Sequence, residues 1–224
     1  MDQYLKHVKT VFQEHGNPDM APFQIKYMRN QFNYYGLKAP VWLALTKDIH
    51  REKGLPTGED LKKLARLCFE EEYRELHYFA LESVQKSMKN QEIGYVDFLE
   101  ELITTRSWWD TVDWLAPKML ATHLKRYPSL IPSIPDRFIE SDNIWLQRSA
   151  ILFQLKYKQS TDAALLFRLI LRRADSKEFF IQKGAGWALR EYSKTNPGAV
   201  VEFIEGNKLA ALTKREGMKW VSRA

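Results

Sequence analysis

Apolar residues recur every three or four positions along almost the whole chain, the spacing of amphipathic helices, and period-two alternation is nearly absent. In residues 2–15 the stripe is Tyr4, Leu5, Val8, Val11 and Phe12. Asn17-Pro18 predicts a stop and a restart, with proline in the first turn of the next helix. Phe23, Tyr27, Met28 and Phe32 carry that second helix over about 19–34, until Gly36. Ala39-Pro40 opens a third, which Gly54-Leu55-Pro56 terminates, and Thr57 with Asp60 predicts the cap of a fourth. Further helices are expected over 72–88 and 95–105, from a tryptophan-rich stretch to Tyr127-Pro128, and briefly within 129–139. The remaining starts fall at Ser141-Asp142, Asp162, Ser176 and Asn196-Pro197, followed by a basic amphipathic segment, 208–224. Helices of this length with short connections pack as antiparallel neighbours.

A repeat is superimposed on the helical pattern. Residues 141–150 (SDNIWLQRSA) align with 176–185 (SKEFFIQKGA) at an offset of 35, with Ser, Gln and Ala identical and the apolar positions kept in kind. The same offset back from Arg148 reaches Asp113, and once more Tyr78. An all-α chain with that period predicts a right-handed or curved solenoid of antiparallel HEAT-like helix pairs with a concave groove. Asp113, Arg148 and Lys183 then stand in a row along the groove. Trp109, Trp145 and Trp187 lie three or four residues from them, and Lys156, Lys158 and Arg190 sit on the same helices or at their ends.

The segment Arg106–Trp114 (RSWWDTVDW) concentrates the candidate chemistry. Trp108, Val112 and Leu115 share a core-facing stripe, whereas Trp109 and Asp113 are one turn apart on a neighbouring face. An indole beside a carboxylate suits a cationic or electron-poor ligand. The competing reading makes Trp109 core and Asp113 a solvated acid, or a mere ion-pair partner of Arg148.

Charge sharpens this picture. The net charge is +6, but residues 141–224 hold 15 Lys and Arg against 8 Asp and Glu, while residues 1–140 hold 19 against 20. A basic second half predicts a surface for a polyanion, with cations for phosphates and aromatic rings for bases or sugars. A lone carboxylate in such a groove repels phosphate, and a cationic transition state would give it a purpose. Other chemistries fit poorly. The five histidines are scattered without metal-ligand spacing, no strand precedes a glycine-rich loop, and Cys68 lies in an apolar helical context. No metal and no cofactor is therefore expected. One cysteine precludes an internal disulfide, and no stretch approaches the apolar length of a membrane span, so a soluble cytoplasmic protein is expected.

These residues also carry a family resemblance. SWWDTVD at 107–113, SDNIWLQRSAILFQLKYK at 141–158, KEFFIQK at 177–183, GWALREYSKTNP at 186–197 and LTKRE at 212–216 resemble the motifs of the bacterial AlkD-type DNA alkylation repair glycosylases. YMRNQF at 27–32 and Gly36-Leu37 resemble their amino-terminal motif, so the similarity covers one domain over 1–224, densest in 100–195. The resemblance implies a helical-repeat solenoid cupping duplex DNA and excising cationic N3- and N7-alkylated purines without base flipping. It implies Asp113, Trp109, Trp187 and Arg148 as catalytic residues and Tyr27 as a DNA contact. Lys156, Lys158, Lys183 and Arg190 are expected to bind DNA, on the nucleoid of a bacterial cell. A groove that cups a duplex needs no second copy or protein partner, so a monomer is expected. The chain departs from the family at Pro40-Val41-Trp42-Leu43, where arginines often follow the proline. A non-catalytic helical scaffold binding DNA, RNA or protein is the rival reading.

Overall fold

The structure, a computed structural model, describes residues 1–131 and 133–223. It divides into two compact units, Met1–Gln91 and Glu92–Ala224. Helix is the regular secondary structure of the described residues, which hold one isolated bridge between Asn33 and Tyr73 and no strand. No helix among them is long and apolar enough to cross a membrane.

The first unit comprises α1 (Asp2–Glu14), α2 (Ala21–Tyr27), α3 (Ala39–Lys53), α4 (Gly58–Glu70) and α5 (Arg74–Ser87). The predicted stripe of α1 buries Leu5, Val8 and Phe12 with α4 (Leu61, Leu64, Cys68, Phe69) and α5 (Leu76, Phe79, Leu81, Val84). The predicted second helix is much shorter than 19–34. Asn17 accepts from the Asp19 and Met20 amides ahead of α2, and Arg29 and Asn30 turn left-handed (φ 55° and 59°) just after it. Phe32 leaves the helix to pack under the Arg74 guanidinium, 3.8 Å from the ring centroid. Buried Glu75 then fixes the following loop by accepting from the amides of Tyr35, Gly36 and Leu37 at 3.0–3.1 Å. Gly36 sits at φ +87°, and a Cβ there would lie 2.0 Å from the Asn17 carbonyl oxygen, so no side chain fits.

The second unit comprises α6 (Tyr95–Thr104), α7 (Trp109–Trp114), a π-helical stretch (Leu115–Leu120), α8 (Ala121–Arg126), α9 (Ser133–Glu140) and α10 (Ile144–Leu152). It continues with α11 (Ala163–Leu171), α12 (Phe179–Ser193), α13 (Pro197–Gly206) and α14 (Ala211–Met218). Helix α10 packs on α6, α7, α9 and α12, and α12 packs on α13 and α14. Ion pairs Arg137–Glu100 and Arg168–Asp136, each 2.6 Å, link α6 to α9 and α9 to α11; Phe167 stacks on Phe203 at 4.2 Å between α11 and α13. Those pairs are partly exposed to solvent and contribute roughly 0–1 kcal/mol each, so apolar burial holds the layers together.

The 35-residue repeat has a hydrogen-bonded basis. Gln147 donates to the Ser141 carbonyl at 2.6 Å and Gln182 to the Ser176 carbonyl at 2.9 Å. The Ser141 and Ser176 hydroxyls accept from the amides two residues on. The identical Ser and Gln thus build the same helix entry twice. They stand ahead of the caps, however: α10 is capped by Asn143, which accepts from Trp145 and Leu146, and α12 starts from Glu178. Asp162 and Asn196 do cap α11 and α13 as expected.

Candidate active site

Local sequence chemistry sets where Asp113 points. Arg106 turns the chain at φ 44°, Trp108 is extended at the N-cap, and α7 begins at Trp109. Pro117, four residues after Asp113, lacks an N–H and crowds the carbonyl one turn back. The helix answers by widening to π over Leu115–Leu120 before returning to α at Ala121. Val112 and Leu115 are buried as the stripe predicts, and Trp108 packs against Trp145 (5.7 Å) and Phe180 (5.1 Å). Trp109 and Asp113 remain half-buried one turn apart.

Asp113 is held by one side chain. Arg148 of α10 donates from Nε to Oδ1 at 2.8 Å and from Nη2 to Oδ2 at 2.9 Å, a bidentate fork. Its Nη1 donates to the Phe180 carbonyl at the start of α12. The Arg148 side chain is 4% exposed and that of Asp113 17%, so the acid, not the base, keeps an open edge. Burial pushes the Asp113 carboxyl above its ordinary value of 3.8; the bonds and charge of Arg148 oppose that rise and Asp110 adds to it.

Helix α12 shapes the seat for the guanidinium. A Cβ on Gly184 would lie 2.8 Å from Arg148 Nη1 and 3.5 Å from Cζ, so the missing side chain is the space that Arg148 occupies. Gly186, on the opposite side of α12, faces α14, where a Cβ would come within 2.5 Å of Glu216 Cβ. Trp187 is half-buried one turn beyond Gly184. At about 100° per residue it projects between the face toward Arg148 and the face toward α14.

The other expected DNA contacts are distributed differently. Lys183 and Arg190 both turn to buried Glu216, at 2.8 and 3.1 Å, so Lys183 does not continue a row with Asp113 and Arg148. Lys156 and Lys158 are exposed in the connection after α10, which ends at Leu152. Lys158 is left-handed (φ 52°) and lines a cavity of about 210 Å³ with Gln154, Tyr192 and Lys194. Tyr27 ends α2 in the first unit and is exposed. Of the divergent segment, Val41 and Leu43 are exposed while Trp42 is buried against Tyr78, 5.5 Å between centroids. Sequence reasoning missed Glu216, Gly184 and the Phe180 carbonyl. Two glycines inside the helical stretch Lys183-Gly184-Ala185-Gly186 were the available signal, since helix-interior glycine calls for a packing reason.

Fold and site together define an all-α helical-repeat protein that holds one partly open carboxylate on a buried arginine, with Trp109 one turn away on the same helix. Residues 8–221 match the family described as DNA alkylation repair enzyme, and the chain belongs to that family. It is 32% identical to a solved structure titled "Predicted DNA alkylation repair enzyme from Enterococcus faecalis", with a TM-score of 0.86 over 93% of this chain and 98% of that one. It shares its fold with AlkD2 from Streptococcus mutans, at 19% identity and a TM-score of 0.60 over 81% of this chain and 89% of that one. Another S. mutans protein, smu.31, is similar at 19% identity and a TM-score of 0.60, over 80% and 96% of the two chains. No curated protein sequence matches significantly.

Proposed function

We propose that this protein is a monofunctional DNA glycosylase that hydrolyses the N-glycosidic bond of cationic N3- and N7-alkylated purines in duplex DNA. A purine alkylated at either position carries a positive charge, so it departs as a neutral base once the bonding pair moves onto its ring. No general acid is needed for that departure. The deoxyribose becomes an oxocarbenium-like cation, as in glycoside hydrolysis. Asp113 stabilises this cation and orients water; the water oxygen bonds to C1′, and its proton passes through the carboxylate to solvent. Trp109 and Trp187 present π faces to the developing charge, each contributing roughly 0.5–2 kcal/mol. Arg148 keeps the carboxylate aimed and ionised. The products are the free base and an abasic site.

One observation carries this reading: the carboxylate is gripped on one edge by a 4%-exposed guanidinium while its own side chain stays 17% exposed. A surface acid would be solvated all round and a structural pair closed on both sides. The test is base release from duplexes with a single 7-methylguanine or 3-methyladenine. Wild type releases the base; Asp113→Asn loses about 10²–10³ in rate, the scale of removing one electrostatic group from such a site. Undiminished release by Asp113→Asn, or none by wild type, sides with the non-catalytic scaffold.

A further inference from the structure

In the reading just proposed, a duplex must be held by its phosphates, and Arg148 cannot do this. Three of its N–H groups are spent on Asp113 and Phe180, and its side chain is 4% exposed. The outward charge lies on the other side of α12. Glu216 of α14, 2% exposed, accepts from Lys183 Nζ at 2.8 Å, Lys219 Nζ at 2.6 Å and Arg190 Nη1 at 3.1 Å. Arg168–Asp136 and Arg137–Glu100, elsewhere in the unit, pair one cation with one carboxylate. Here three cations share one, and two positive charges stay uncompensated within the cluster.

The three cations face outward. Their side chains keep 31–40% exposure although the acid between them is buried. Lys183 and Arg190 are seven residues apart, hence on one face of α12. Gly186 lies between them and lets α14 approach until Glu216 reaches both. Trp187 stands at the edge of that same face, and α12 also seats the Arg148 guanidinium through Gly184 and the Phe180 carbonyl, so one helix adjoins both the cluster and the Asp113 pair. A lysine has a long flexible stem, and a cation anchored through one N–H before DNA arrives loses less freedom on binding than a loose one.

We infer that Lys183, Arg190 and Lys219 form a clamp for phosphodiester groups of the DNA backbone, and that Glu216 is its positioning residue, touching the cations but not the substrate. The inference rests on the DNA-acting reading and adds a binding element to it.

The experiment titrates the protein against an undamaged fluorescent duplex at several salt concentrations and follows 7-methylguanine release separately. Lys183→Met and Lys219→Met each weaken binding about 3–10-fold and lower the slope of log K against log salt by about 0.9, one phosphate contact. Glu216→Gln discriminates by sign. It raises the net charge, so electrostatics alone dictates tighter binding; the clamp dictates binding about 3–10-fold weaker, with Glu216→Asp recovering part of the loss. Tighter or unchanged binding by a folded Glu216→Gln overturns the proposal. If that variant does not fold, unchanged binding by the two lysine variants overturns it. Normal base release with unaltered binding by all variants defeats the clamp and spares the glycosylase. A lysine-dependent slope without base release by wild type does the reverse.

Discussion

Gly184→Ala tests the site without removing any functional group. The added methyl carbon would stand 2.8 Å from Arg148 Nη1 and 3.6 Å from Cγ, against about 3.4 Å for ordinary contact. Roughly 0.6 Å must be made up. The guanidinium cannot yield cheaply, because it is 4% exposed, bound to both Asp113 oxygens and bonded to the Phe180 carbonyl. Shifting it by that distance stretches bonds of 2.8 and 2.9 Å toward the limit of hydrogen bonding. Overpacking costs about 1–3 kcal/mol, and weakening bonds to a charged group adds up to about 1.5 kcal/mol. Alanine returns about 1 kcal/mol of helix propensity. The net expectation is a loss of about 0–3.5 kcal/mol.

Activity should fall further than stability. Asp113 follows the fork that holds it, and a misplacement near 1 Å costs about 100-fold in rate; half that displacement predicts at least a tenfold loss. Urea unfolding measures the first quantity and single-turnover release of 7-methylguanine the second. Gly206→Ala is the control, since a Cβ there meets nothing within 4 Å, and it should be neutral or slightly stabilising. If Gly184→Ala gains the propensity increment and keeps full activity, the seat is not what positions Asp113.

Three further outcomes follow from groups already described. Because burial raises the Asp113 carboxyl, the excision rate should fall on acidification at a pH above 3.8, as the carboxylate takes up its proton; a pH–rate profile with no such acid limb removes Asp113 from the chemistry. At Glu216 burial pushes the carboxyl up, but the bonds and charges of Lys183 and Lys219 overrule it and hold the group at about 2 instead of 4.5. Its stabilisation is therefore complete above about pH 4.5 and disappears as pH falls toward 2, and the stability gap between wild type and Glu216→Gln should close over that window in acid titrations. In the first unit, Glu75→Gln replaces one of the two oxygens that accept from the Tyr35–Leu37 amides with an NH2 donor and should destabilise by about 1–3 kcal/mol in urea.

Sequence legibility follows the range of the interactions. Helix stripes such as Leu5, Val8 and Phe12 are set by neighbours three or four residues away, and they appear in the structure as read. The repeat was legible because Ser141 with Gln147, and Ser176 with Gln182, form bonds within six residues. Helix α2 was overextended because Phe32 keeps helical spacing, and nothing nearby reveals that Arg74 holds it elsewhere. The Asp113–Arg148 register was visible through the repeat, but which of the two stays exposed was not. The role of Glu216 is hidden for the same reason, although it lies in the LTKRE motif: its partner Lys183 is 33 residues away, and Lys214-Arg215-Glu216 reads as an ordinary charged helix face.

The basic excess of the second half predicts one surface, whereas in the structure Arg148 turns inward to Asp113 and Lys183, Arg190 and Lys219 gather around Glu216. A carboxylate about 6 Å from a phosphate, at an effective dielectric near 20, would repel it by about 3 kcal/mol. Paired with Arg148, Asp113 presents a dipole in place of a net charge, and most of that repulsion cancels. On the proposed reading, Arg148 would therefore aid the approach of DNA without reaching it, its side chain being 4% exposed against 17% for Asp113. Attraction would then come from cations in excess of their carboxylate partners, and Lys183, Arg190 and Lys219, three around the single Glu216 and each 31–40% exposed, meet that condition. Helix α12 is common to both arrangements, with Gly184 seating the neutral pair and Gly186 the positive cluster. Closing up either glycine should thus disturb a different step, excision at Gly184 and phosphate binding at Gly186.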